Sequence, residues 1–103
     1  MSMYPPFTPF TRLAVTTLDV STTPRLVASS AVIDGLARGR NGIEIVNTSS
    51  ATVYLGDDSV RADSGLPLGA GESRYFPVTR SSAKALCIAS DSDAAVTLAE
   101  YFA

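Results

Sequence analysis

From Thr11 onward, apolar and polar side chains alternate with a period close to two, and turn-forming residues break the alternation every ~8–12 residues. A period of two puts successive side chains on opposite faces of an extended strand, whereas a helix needs apolar residues three and four apart. No stretch carries such a helical stripe. Arg12-Leu13-Ala14-Val15-Thr16-Thr17 is the first expected strand. Pro24 opens a second run, Arg25 to Val32, which ends at the turn pair Asp34-Gly35. Leu36-Ala37-Arg38 has room for one helical turn at most, hemmed in by Gly35, Gly39 and Gly42. Asn41-Gly42 reads as a reverse turn, because both residues tolerate positive φ.

Ile43-Glu44-Ile45-Val46-Asn47 is the clearest strand, and Thr52-Val53-Tyr54-Leu55 is its expected return across the polar turn Thr48-Ser49-Ser50-Ala51. Two such runs predict an antiparallel hairpin, with Ile43 and Ile45 sharing one face, and Val53 and Leu55 sharing one face of the partner. Val60-Arg61-Ala62 reads as a short edge strand. Pro67 confines Gly65-Leu66-Pro67-Leu68 to an edge or a loop, since proline offers no N–H to a ladder. Gly69 to Ser73 is a turn, Arg74-Tyr75-Phe76-Pro77-Val78 a strand and Ser81-Ser82 a loop. Ala85-Leu86-Cys87-Ile88-Ala89 is apolar throughout, as befits a central strand covered on both faces. Asp91-Ser92-Asp93 then turns into a long final strand, Ala95 to Phe102. The expected fold is all-β: an antiparallel β-sandwich, jelly-roll-like, of about seven or eight short strands, with an immunoglobulin-like order fitting the same pattern.

Residues 1–10 hold three of the six prolines together with Tyr4, Phe7 and Phe10. Proline at this density keeps a chain extended and bars it from the middle of a sheet. Disordered tails are poor in aromatics. Tyr4, Pro5, Pro6, Phe7, Pro9 and Phe10 are therefore the candidate partner-binding residues of an arm laid on an apolar surface, its own or a neighbour's. Residues 11–103 form a single sandwich domain. At this size it buries about two-thirds of the surface of its unfolded chain and needs no metal or disulfide to fold.

The chain contains no histidine and one cysteine, Cys87. That removes Ser-His and Cys-His nucleophile pairs, an intramolecular disulfide and the common zinc ligand sets. Lying in the most apolar run, Cys87 is expected as a small buried hydrophobe with a raised pKa. The net charge is −2, and the one close cationic pair, Arg38 and Arg40, is flanked by Asp34 and Glu44. Nucleic acid requires a basic face that this pattern does not supply. No apolar run approaches the ~20 residues of a membrane-spanning helix, and MSMYPPF lacks the charged and apolar regions of a secretory signal. The expectation is a protein folded in a reducing, cytosol-like compartment, with no cofactor, no nucleic-acid partner and no membrane.

The loop Gly56 to Gly65 is the best candidate for chemistry, because Asp57, Asp58, Asp63 and Ser59 offer oxygen ligands that suit calcium. Its spacing departs from the EF-hand pattern, and no acidic residue closes it. Asp91 and Asp93 are a second acidic pair. Turns collect Asp for its bonds to nearby backbone, so solvated turns are the expected reading of both. Paired acids also cleave glycosides, but there is no tryptophan and the four tyrosines are dispersed. Gly65, Gly69 and Gly71 are turn glycines, since no Lys-Ser/Thr follows them and no helix starts there. No enzyme is expected. A positive mean hydropathy combined with an aromatic arm points instead to apolar surface that meets a partner, most simply another copy.

A strand ending in asparagine runs into NTSS-ATVYLG (Asn47 to Gly56), followed by the turn PLGAGES (Pro67 to Ser73), an aromatic strand, ALCIAS (Ala85 to Ser90) and a closing VTLAEYF (Val96 to Phe102). Over residues 43–102, about three-fifths of the chain, this succession resembles small β-sandwich proteins of tailed-phage particles. The resemblance is one of strand and turn style and carries no catalytic motif. It implies a virion component assembled in the host cytoplasm: a capsid decoration (cement) protein, a homotrimer, that reinforces the phage head by binding the major capsid protein. It also allows a receptor- or glycan-binding module of a head fibre or tail, calcium-dependent through Asp57, Asp58 and Asp63.

Overall fold

A computed structural model of the chain describes residues 12–29, 40–77 and 86–102. These residues form eight strands and no helix: β1 (Arg12–Val20), β2 (Arg25–Leu26), β3 (Arg40–Asn47), β4 (Val53–Gly56), β5 (Leu66–Leu68), β6 (Ser73–Phe76), β7 (Cys87–Ser90) and β8 (Ala94–Phe102). All pairings are antiparallel, in two four-stranded sheets ordered β1-β8-β3-β6 and β2-β7-β4-β5. The pairs β1·β8, β2·β7, β3·β6 and β4·β5 are those of one long ribbon doubled back between β4 and β5. Rolling the ribbon up sets β8 against β3 and β7 against β4, which completes both sheets. This is the strand order of a jelly roll, so the all-β sandwich takes that form and not the immunoglobulin-like one.

Period-two patterning does what it should. Along β8, Val96, Leu98, Glu100 and Phe102 are buried, and the residues between them are partly covered. The core between the sheets joins Leu18, Val20, Ile43, Ile45, Val96 and Leu98 from one sheet with Val53, Leu55, Leu68 and Ile88 from the other, and Val27 closes one end. Cys87, Ile88, Ala89 and Ser90 are all buried, as a central strand covered on both faces requires. The proline-bearing Leu66–Leu68 lies at a sheet edge, bonded to β4 alone.

Four local expectations are corrected. Ile43–Asn47 and Val53–Leu55 do not form a hairpin: β3 and β4 lie in different sheets, and the connection between them is an arch across the sandwich. Each residue was placed on the right kind of face, but Ile43 and Ile45 meet Val53 and Leu55 across the core instead of standing beside them in one sheet. Asn41-Gly42 is no reverse turn. It lies inside β3, where the register slips between Arg40 and Gly42 in a β-bulge. Gly42 is small because the Tyr75 ring lies over it; a Cβ there would sit 2.8 Å from Tyr75 Cζ and closer still to the phenolic oxygen. Val60-Arg61-Ala62 belongs to a turn, not to a strand. Of the second run, the described residues 25–29 are strand only at Arg25–Leu26, and 30–32 lie outside the described residues. The residues expected as turn or helix at 34–39, and as loop at 81–82, lie outside the described residues.

Candidate functional site

The two turns that carry the resemblance converge on one side chain. Asn47 is fully buried at the end of β3. Its amide donates to the Ala51 carbonyl (2.7 Å) and the Leu68 carbonyl (3.0 Å). Its Oδ1 accepts from the Ser49 backbone N–H (3.0 Å) and hydroxyl (2.7 Å). The Asn47 backbone N–H donates to the Glu72 carbonyl (2.9 Å), and the Gly71 N–H donates to the Asn47 carbonyl (2.8 Å). Gly71, at φ 78°, is the one described residue in the left-handed region, which glycine alone enters without strain. Asn47 thus ties the arch to the Gly69–Glu72 turn, and both motifs build a corner that holds the two sheets together.

The acidic loop is a lid. Asp57 Oδ1 accepts from the Ser59 N–H (2.9 Å) and hydroxyl (2.6 Å), which turns the chain back on itself. Chiefly because the Ser59 hydroxyl bonds its charged form, the Asp57 carboxyl titrates below its ordinary range. The turn drives Val60 onto the outer face of β2-β7-β4-β5, where it packs with Cys87 and Ala89, and with Leu26 and Tyr54 beside them. Gly56 and Gly65 flank this plug. A Cβ on Gly65 would sit 2.6 Å from Tyr54 Cβ and 2.7 Å from Val60 Cγ2. Burial under the lid, with Asp58 and then Asp57 nearby, pushes the Cys87 thiol above its ordinary pKa. Asp57, Asp58 and Asp63 are exposed, and among the described residues no group of three or more acidic or thiol side chains is placed to hold a metal ion.

The other sheet presents a different outer face. Across it run Leu13–Tyr101–Gly42, Val15–Ala99–Glu44–Tyr75, Thr17–Thr97–Val46–Ser73 and Asp19–Ala95. Glu44 and Asp19 are the only charges in these rows. Val15 is 65% exposed, Leu13 48% and Tyr75 45%. The Tyr75 and Tyr101 rings meet edge to face, with centroids 5.8 Å apart. Burial, then Glu44 and then Tyr75, raise the Tyr101 phenol above its ordinary pKa. An antiparallel sheet with one solvated face normally carries polar residues there. Among the described residues, no loop covers this face as the Val60 lid covers its counterpart.

A buried ion pair escaped the sequence reading. The bulge in β3 turns Arg40 into the end of the core, where its Nη1 meets Glu100 Oε2 at 2.7 Å; the two side chains are 1% and 0% exposed. Arg40 Nη1 also donates to the Val27 carbonyl (3.0 Å), and the Ser29 N–H donates to Glu100 Oε2 (3.2 Å). Arg40 Nε and Nη2 and Glu100 Oε1 have no bond to the described residues. Next to the pair, the Arg12 guanidinium stacks 4.3 Å above the Phe102 ring. The sequence signal for the pair was available: Glu100 occupies an inward position in the strict alternation of β8.

A cleft of about 560 Å³ opens where β1 passes to β2, lined by Asp19, Ser21, Thr23, Arg25 and Asp93 among others. The arm residues Tyr4, Pro5, Pro6, Phe7, Pro9 and Phe10 lie outside the described residues. No family model, no curated protein and no solved structure matches the chain.

Proposed function

We propose that this chain is a structural virion protein, a capsid decoration (cement) protein of a tailed phage that self-associates and binds the major capsid protein. The observation that carries the reading is the difference between the two sheet faces. One is closed by the chain's own loop, whereas the other offers exposed Leu13, Val15 and Tyr75. An apolar face of this kind is suited to contact with other protein chains. Asn47 bonds the arch and the Leu68 carbonyl, and Asp57 bonds its own turn, so both side chains are used in building these surfaces. The jelly roll is a recurrent build among viral capsid proteins, which supports the reading by analogy of fold.

Co-sedimentation of the purified protein with isolated phage heads and, separately, tails tests it. The reading expects saturable binding to heads and none to tails; absence of head binding overturns it. Deleting residues 1–10 is expected to leave the β spectrum unchanged and abolish head binding, and unchanged binding would remove Tyr4, Phe7 and Phe10 as anchors.

The cleft at Asp19, Ser21, Thr23, Arg25 and Asp93 favours a second reading, a glycan-binding module of a fibre or tail. Its hydroxyl, carboxylate and guanidinium groups are of the kind that bond sugar hydroxyls. Signal on a glycan array that is lost in Asp93→Ala would favour this reading over the first, and a blank array would dismiss it.

A further inference from the structure

We infer that the open edge of β1 pairs antiparallel, across a two-fold axis, with β1 of a second copy of this chain. The inference rests on the self-association proposed above and names the surface that makes it.

Each sheet ends in two edge strands, and an unprotected edge is a template for another strand. Three of the four edges here are blunted. β2 has two residues, β5 has three with Pro67 at its centre, and β6 has four with Pro77 directly after it. β1 differs from all of them. It has nine residues, contains no proline, glycine or lysine, and keeps an unbroken register with β8. Among the described residues, nothing pairs with its other side.

The strand is also complementary to itself. An in-register parallel copy would set Arg12 beside Arg12 and Asp19 beside Asp19, whereas an antiparallel copy keeps these like charges apart. The Arg25 guanidinium donates to the Asp19 carbonyl (2.9 Å) and so occupies the far end of the edge, leaving 12–18 open. The centre of that stretch is Val15. A two-fold axis there opposes Val15 with its own copy, Leu13 with the second copy's Thr17, Ala14 with Thr16, and Arg12 with Leu18.

This register keeps residues of equal parity opposite one another, so both outer faces lie on the same side of one continuous eight-stranded sheet. It also accounts for the two most exposed aliphatic side chains of β1: Val15 and Leu13, 65% and 48% exposed in the single chain, come together at the seam. The contact builds dimers, where the resemblance implied trimers.

Light scattering on the full chain provides the test. Wild type is expected at twice the chain mass. Val15→Lys and Val15→Glu each set like charges opposite one another at the axis, so each alone is expected at the single-chain mass with an unaltered β spectrum. Mixed in equal amounts, they are expected to return to twice the chain mass. Should either Val15 variant fail to fold, two double variants test the same register. Leu13→Lys with Thr17→Lys sets like charges opposite one another at two pairs, and Leu13→Glu with Thr17→Glu does the same with the other sign. Each alone is expected at the single-chain mass, and the two mixed at twice it. A wild type that is monomeric or trimeric, variants that keep the wild-type mass, or a mixture that does not recover would each overturn the inference. A monomeric wild type that still co-sediments with heads would sink this edge pairing and leave the cement reading standing.

Discussion

Arg40 and Glu100 show how a single side chain can depend on its partner. Neither can be removed alone without leaving a charge in the core, at a typical cost of about 3–5 kcal/mol, whereas replacing both with apolar residues is often neutral or stabilising. Glu100→Ala is therefore expected to lower the urea midpoint sharply, and Arg40→Met combined with Glu100→Leu to recover most of the loss. Equal destabilisation by the single and double changes would contradict the pairing. Cys87 reports on the lid in the same way. Val60→Ala and Gly65→Ala, one emptying the plug and the other pushing it off Tyr54, are both expected to raise the rate at which a thiol reagent labels Cys87 in the folded protein. The raised thiol pKa fixes the sign of a pH effect. Below the ordinary thiol pKa, both folded and unfolded chains hold the proton and the linkage term is fully present. As pH rises above it, the unfolded thiol ionises first, so stability falls through the alkaline range until the folded pKa is passed. Cys87→Ala should flatten that decline. At this scale the sequence was a partial guide. Cys87 in an apolar run was readable as buried, but the Arg40–Glu100 contact depends on a bulge whose Asn-Gly pair looks like a turn when read alone.

Strands were legible because period-two alternation is local, and their partners were not, because pairing depends on how the ribbon rolls. Ile43–Asn47 and Val53–Leu55 illustrate the difference. Four polar residues between two β-rich runs suit a hairpin, yet the Asn47 side chain bonds both Ala51 within the arch and Leu68 beyond it, and this sends the chain to the opposite sheet. Asn47→Ala removes that tie and strands buried carbonyls, which typically costs about 1–3 kcal/mol for each group left unsatisfied. Asn47→Asp keeps the acceptor for Ser49 and loses both amide donations, so chemical denaturation should show it to be destabilised as well. An Asn47→Asp protein as stable as wild type would mean that the Ala51 and Leu68 bonds contribute little to the corner. Pro67 and the fully apolar strand at Cys87 were placed correctly as edge and centre for a simple reason. A missing N–H and a missing polar face are properties of the residues themselves, whatever the topology.

For the whole molecule, the jelly roll positions its exposed features unequally. One sheet is covered by Val60, and among the described residues the other keeps an apolar face bounded by the long edge strand β1. The strand order explains why these coincide, since β1 and β8, the two ends of the rolled ribbon, lie side by side in that sheet. A protein that binds an assembled shell and not its dispersed subunits stabilises that shell by an amount that grows with the logarithm of its concentration above its dissociation constant. For the capsid-decoration role proposed above, the most direct measurement is the melting temperature of phage heads titrated with this protein. The account predicts a rise that sets in near the dissociation constant, continues with the logarithm of the free protein concentration, and is absent with protein lacking residues 1–10. Heads that melt at the same temperature at every concentration of added protein would contradict it.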